Sequence, residues 1–210
     1  MNYPEYVIID NEEYKINTDF RVVLECNKVA TEETIGDFER SLAIIYLLFG
    51  DKGIEHQEHY DKLLNYALKF IACGNEEEIN NDKKNNAFNK NDLDYNKCEG
   101  LIRSSFKFDY KYDPYNKEYL HWYEFYNDLS NLSTSEFGTC CALNRILSIL
   151  NQDASKIKDD KERKNLANLQ NDLRKKYCIE YKKKQTKEQE ELKKKIYEAF
   201  GLRKEWFYGW

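Results

Sequence analysis

The chain has 210 residues, 41% of them hydrophobic, enough for one substantial core. Its formal charge of -5 conceals a split: residues 156 to 195 hold 15 Lys/Arg against 8 Asp/Glu, or +7, which leaves 18 against 30, or -12, elsewhere. The longest apolar run, "LAIIYLLF" at 42 to 49, falls well short of the roughly 18 residues of a membrane span, and the N-terminus lacks the basic, apolar and small-residue series of a secretory signal, so the chain is expected to stay in the cytoplasm.

Residues 6 to 9 ("YVII") and 13 to 16 ("EYKI") flank "DNE", an Asp/Asn turn between two β-prone runs, and predict a hairpin. With only two prolines and eight glycines, the remainder reads as helix. "NTDF" offers caps at Asn17, Thr18 or Asp19, after which Phe20, Val23, Leu24 and Val29 recur at near-helical spacing. A second helix begins around "TEETIGDFE" and is closed by Gly50 and Gly53. From His56 to Cys73, the residues Tyr60, Leu63, Leu64, Ala67, Leu68 and Ile71 form a third stripe, with Gly74 as its cap. Residues 75 to 97 are nearly all Asn, Asp, Glu and Lys and predict a mobile linker, because so little apolar surface cannot offset chain entropy. A further helix is expected around 92 to 107, and "SEFGTCCALNRILSIL" and "DKERKNLANLQNDLRKKY" each carry a helical stripe.

Residues 118 to 132, "EYLHWYEFYNDLSNL", place Tyr119, Trp122, Tyr123, Tyr126 and Leu129 on one helical stripe with Phe125 on a neighbouring face, which predicts a central helix packed on two sides. Tyr119, Trp122, Phe125, Tyr126 and Leu129 are its expected core residues, and His121 reads as a hydrogen-bonded packing residue. His56 and His59, flanked by Glu55 and Glu58, fall short of the three or four donors a metal needs and do not form H-E-x-x-H. The pair Cys140 and Cys141 lies in an apolar pattern, and all six cysteines read as reduced small hydrophobes. No phosphate-binding glycine motif or nucleophile elbow occurs. The sequence therefore names no catalytic residue, no metal ligand and no cofactor, and the expectation is a protein without enzymatic activity.

In the basic third, Glu188, Glu190 and Glu191 interleave with lysines at helical spacing, which favours a solvated helix over a nucleic-acid surface. Leu192, Ile196 and Phe200 recur every four residues, Gly201 is placed to end that helix, and Trp206, Phe207, Tyr208 and Trp210 follow as candidate partner contacts or as rings that seal the protein's own core.

Three stretches together resemble the bacteriophage gene-product-fifteen family. "VIIDNEEYKINTDFR" is similar to that family's opening; "EYLHWYEFYNDLSNL" resembles its Y-L-H-W-W-x-F-x-x-L-x-x-L segment, with Tyr123 in place of the second Trp; and "EFGTCCALNRILSILNQDASKIKDDKERKNLANLQNDLRKKY" is similar to the arginine-containing helix and basic helix that follow. The polar stretch 75 to 97 and the tail from Trp206 depart from the pattern. The family is typically encoded between the tail-tube and tape-measure proteins of long-tailed phages, so the resemblance implies a tail-assembly chaperone that binds the tape-measure protein, the tail-tube protein or both, in the bacterial host cytoplasm, and transfers no catalytic residue. A structural tail or connector protein of the virion is the alternative, and a nucleic-acid-binding regulator a third reading. The architecture expected is mainly α, a helical bundle-like domain with a short N-terminal β-hairpin: 1 to 74 as hairpin plus three helices, 75 to 97 as linker, 98 to 185 packed on the first half, and 186 to 210 as a C-terminal helix and aromatic tail. Self-association is a further expectation.

Overall fold

A computed structural model describes residues 3–32, 34–74, 93–133 and 141–179, and among them eight α-helices follow one two-stranded hairpin. Strands β1 (Tyr6–Ile9) and β2 (Glu12–Lys15) run antiparallel, with Val7 opposite Tyr14. Asp10 and Asn11 turn the chain at φ 49° and 68°, the left-handed pair that a two-residue hairpin loop requires and that Asp and Asn tolerate. Alternation then sends Val7 and Tyr14 inward to burial and leaves Tyr6 and Ile8 outside.

Helix α1 (Phe20–Thr31) starts where the Asp19 carboxylate accepts the Arg21 N–H at 2.9 Å. Helix α2 (Asp37–Phe49) stops at Gly50, whose φ of 67° suits glycine, and the short α3 (Asp51–Glu55) turns back at once. That turn is close: a Cβ on Gly53 would stand 2.7 Å from Phe49 Cβ. Helix α4 (Tyr60–Ile71) completes the first half, which therefore holds four helices where periodicity predicts three, because Gly50 divides the second stretch. The second half comprises α5 (Glu99–Asp109), α6 (Trp122–Ser130), α7 (Ala142–Asn151) and α8 (Asp160–Tyr177). Leu93, placed by composition in the polar segment, pairs with Cys178 as an isolated bridge, and Asp94 N–H donates to Tyr177 O at 2.9 Å, so residues 93 to 97 belong to the body. The rest of the expected linker, 75 to 92, lies outside the described residues.

One core runs from Val7 to Leu143 and joins both halves. At its centre Phe125 of α6 stacks on Phe20 of α1 at 4.3 Å and on Phe106 of α5 at 5.5 Å, with Trp122 5.9 Å away. Trp122 also donates its indole N–H to Ile71 O at 3.0 Å, at the end of α4.

The central segment differs from its sequence expectation at its start. Helix α6 begins at Trp122, not near 118: Phe20 N–H donates to Leu120 O at 3.0 Å and Trp122 N–H to Thr18 O at 2.8 Å, an extended pairing around the Asp19 and His121 bridge. Extended backbone alternates with period two, so Leu120 is buried and Tyr119 points out, 54% exposed. Tyr119 is not a core residue, although its hydroxyl hydrogen-bonds Thr18 Oγ1 at 2.6 Å. Trp122 and Phe125 are buried, and Tyr126 and Leu129 pack half-buried against the core.

Candidate functional site

Two polar constellations and one surface are candidates. The first fastens the hairpin to the helices. Buried Tyr14 on β2 places its hydroxyl 2.6 Å from His59 Nδ1 and 3.1 Å from Glu12 Oε2. Lys62 on α4 holds Asp10 at 2.5 Å, and Lys52 on α3 and His56 each stand 3.5 Å from the Glu12 carboxylate. Burial, reinforced by the hydrogen bond to Glu12, pushes the Tyr14 hydroxyl up to about 12, so it remains a neutral donor rather than a base. Partial burial works to raise Glu12, but the Tyr14 hydroxyl and the positive charge of His56 and Lys52 outweigh it and hold the carboxyl below its usual range. Among the described residues no group of three His, Cys, Asp or Glu side chains could hold a metal ion. The cluster's geometry suits attachment: its ties from the hairpin reach α3, α4 and the stretch from His56 to His59 between them.

The second constellation is the start of α6. His121 Nδ1 accepts the Tyr123 N–H at 3.0 Å, which puts the ring proton on Nε2, 3.4 Å from Pro4 O. Burial pushes this imidazole below its ordinary value, against the opposing pull of Pro4 O, Glu5 and Glu124, so the neutral cap is the favoured form. Tyr3 stacks on the ring at 4.6 Å. Close by, Arg21 bonds the Asp19 carboxylate and the carbonyls of Pro114, Tyr115 and Lys117, tying α1 to the Pro114–Asn116 turn. Buried Asp113 caps that turn. Burial works to raise its carboxyl, but Lys107 and Arg103, each 3.0 Å away, and the Tyr115 N–H hold it below the carboxylate range.

The surface candidate is the outer face of the hairpin, where Ile8 is 68% and Tyr6 49% exposed. Sequence reasoning named neither this face nor the Tyr14 cluster. The signal for both was present: "YVII" is apolar on both faces of a strand, so one face must remain outside, and "EHQEHY" follows the hairpin closely enough to meet its turn. His121 as a cap was hidden because histidine is an unusual N-cap. Of the other candidates, Cys141 is buried and caps α7 through its sulfur, accepting from Asn144 N–H at 3.5 Å. Cys140, the helix expected from about 186 and the candidate partner contacts Trp206, Phe207, Tyr208 and Trp210 lie outside the described residues. Among the described residues no helix is long and apolar enough to cross a membrane.

The described residues form a mainly helical body with a docked N-terminal hairpin, and their polar clusters hold elements together. The chain belongs to the family described as Bacteriophage Gp15 protein, whose profile matches residues 3–177. No curated protein and no solved structure matches it.

Proposed function

We propose that this protein is a non-enzymatic tail-assembly chaperone of a phage or prophage, which binds the tape-measure protein, the tail-tube protein or both in the host cytoplasm while the tail is built. The observation that carries the reading is family membership over residues 3–177, and the gene position that the resemblance implies supports it. The physical requirement fits: a tape-measure chain is long, helical and apolar-faced, and an acidic, ring-rich helical partner suits it by helix-in-groove packing while charge keeps the complex in solution. The aromatic tail Trp206, Phe207, Tyr208 and Trp210 is the proposed anchor on that partner, since buried aromatics are common hot spots.

The test is co-purification of the full chain with tape-measure fragments and with tail-tube protein, repeated after truncation following Gly201. The chaperone reading expects capture of one of the two, loss of capture without loss of melting temperature on truncation, and absence of the protein from purified virions. A stoichiometric copy number in virions would replace it with the structural tail or connector reading. A truncated chain that unfolds would return the four rings to the protein's own core.

A further inference from the structure

The hairpin carries an inference that holds whichever tail component is bound, and that does not depend on the tail-assembly reading. Ile16 N–H donates to Glu5 O at 2.8 Å, which makes Glu5 and Ile16 a hydrogen-bonded pair. Antiparallel strands alternate hydrogen-bonded and open pairs, so Val7 with Tyr14 and Ile9 with Glu12 are bonded, and the N–H and C=O groups of Tyr6 and Ile8 point away from β2. Among the described residues no backbone hydrogen bond from outside the hairpin reaches them. The two edges of the hairpin are treated differently. On the β2 side Lys52 Nζ donates to Glu13 O at 2.8 Å, and just beyond the strand Asn17 N–H donates to Leu48 O at 2.7 Å, so α2 and α3 occupy that edge. Among the described residues the β1 side has no such cover, and its outward side chains, Tyr6 and Ile8, are exposed. Natural sheets blunt free edges with charge, proline or a covering element; here Pro4, which has no N–H, limits the open stretch at one end and the Asp10 turn at the other.

We propose that the open edge of β1 is a strand-docking site for an extended segment of another protein, apolar at alternate positions and carrying Lys or Arg at its ends. The backbone groups of Tyr6 and Ile8 supply the ladder, and their side chains cover the incoming apolar residues. Charge selects the occupant. Residues 1 to 74 hold 14 Asp/Glu against 7 Lys/Arg, a formal charge of -7; Glu5 lies beside the open stretch, and Glu13 and Lys15 lie across the strand from Ile8 and Tyr6. A second copy of this chain would bring another -7 to the same edge, whereas a basic-ended strand is attracted to it.

The probe is the peptide Lys-Lys-Val-Thr-Val-Thr-Val-Lys-Lys, compared with the same core between glutamates and titrated into the full chain at low salt with amide NMR as readout. Shifts and slowed exchange at the Tyr6 and Ile8 amides are expected, with affinity at least about tenfold weaker for the glutamate form. Two variants sharpen the test. Ile8→Pro removes one outward donor without removing a hairpin bond, and Tyr6→Thr with Ile8→Thr removes the apolar cover while leaving the backbone intact; each should cost about tenfold or more. If Ile8→Pro melts the hairpin, the threonine double variant decides. Shifts confined to other residues, no binding by either peptide, equal affinity for both, or wild-type affinity in the double variant would overturn the proposal. A concentration-dependent dimer in sedimentation that the double variant abolishes would give the edge to a second copy and overturn it equally.

Discussion

Helix α6 spans nine residues and buries Trp122 and Phe125; α8 spans eighteen, and of its side chains only Gln170 is buried. The short helix stands between α1 and α5, with rings stacked on both sides, so every turn has a neighbour. The long one rests on α7 and on the single turn at Ala154–Lys156, and Leu169 remains 45% exposed. Its one buried side chain is polar: Gln170 donates its amide to Ile149 O at 2.9 Å and to Gln152 O at 2.7 Å, closing the end of α7. Length therefore measures little of a helix's share in stability; the number of packed faces decides it.

That contrast can be broken in order of expected effect. Trp122→Ala should cost about 3 to 5 kcal/mol, and Phe125→Ala a similar amount, a fall of roughly 6 to 20 °C in melting temperature by calorimetry. A fall of a degree or two would remove α6 from the centre of the fold. Gln170→Ala should cost about 0.5 to 1.5 kcal/mol, because two carbonyls at the end of α7 lose the same amide donor. Hydrogen exchange should accelerate in α7 and α8 and leave α6 protected; uniform acceleration would mean that the two regions unfold as one unit.

A pH-dependent effect comes next. Since burial lowers His121 in the folded chain, the unfolded chain takes up its proton first as pH falls. Its contribution is complete above the ordinary histidine value of about 6.5 and is lost as pH falls from there through the depressed folded value. His121→Asn keeps a cap oxygen and should flatten the stability difference across that window, measured by denaturant melts of both proteins at several pH values. Parallel curves for the two proteins would show that the imidazole stays uncharged in neither state alone. The smallest effect belongs to α8: Leu169→Ala should change stability by about 0.5 kcal/mol or less, and a larger loss in a chemical melt would mark a packed face there.

The fold was legible wherever local pattern and tertiary context agree. The Asp10–Asn11 turn, the Asp19 cap and the stripe of α4 were readable because each is fixed by residues within a few positions. Phe70, buried in α4, escaped because it lies beside the stripe, and α3 because Gly50 reads equally as an end or as a hinge. The start of α6 was not legible at all: residues 118 to 121 have helical spacing, and only pairing with a strand-like segment a hundred residues earlier makes them extended. The hairpin cluster was half legible, since "EHQEHY" was noticed while its partners Asp10, Glu12 and Tyr14 lie across a tertiary contact.

The pairing of Thr18 with Trp122 also has a consequence for how the chain tolerates change. It closes a loop of about a hundred residues, and the entropy of closing such a loop grows only with the logarithm of its length. The eighteen residues from 75 to 92 lie inside that loop, on the chain between α4 and the Leu93 bridge. Removing them would change the closure cost by only about 0.2 kcal/mol. A single inserted residue between Leu120 and Trp122, by contrast, would shift the register on which both helix starts depend.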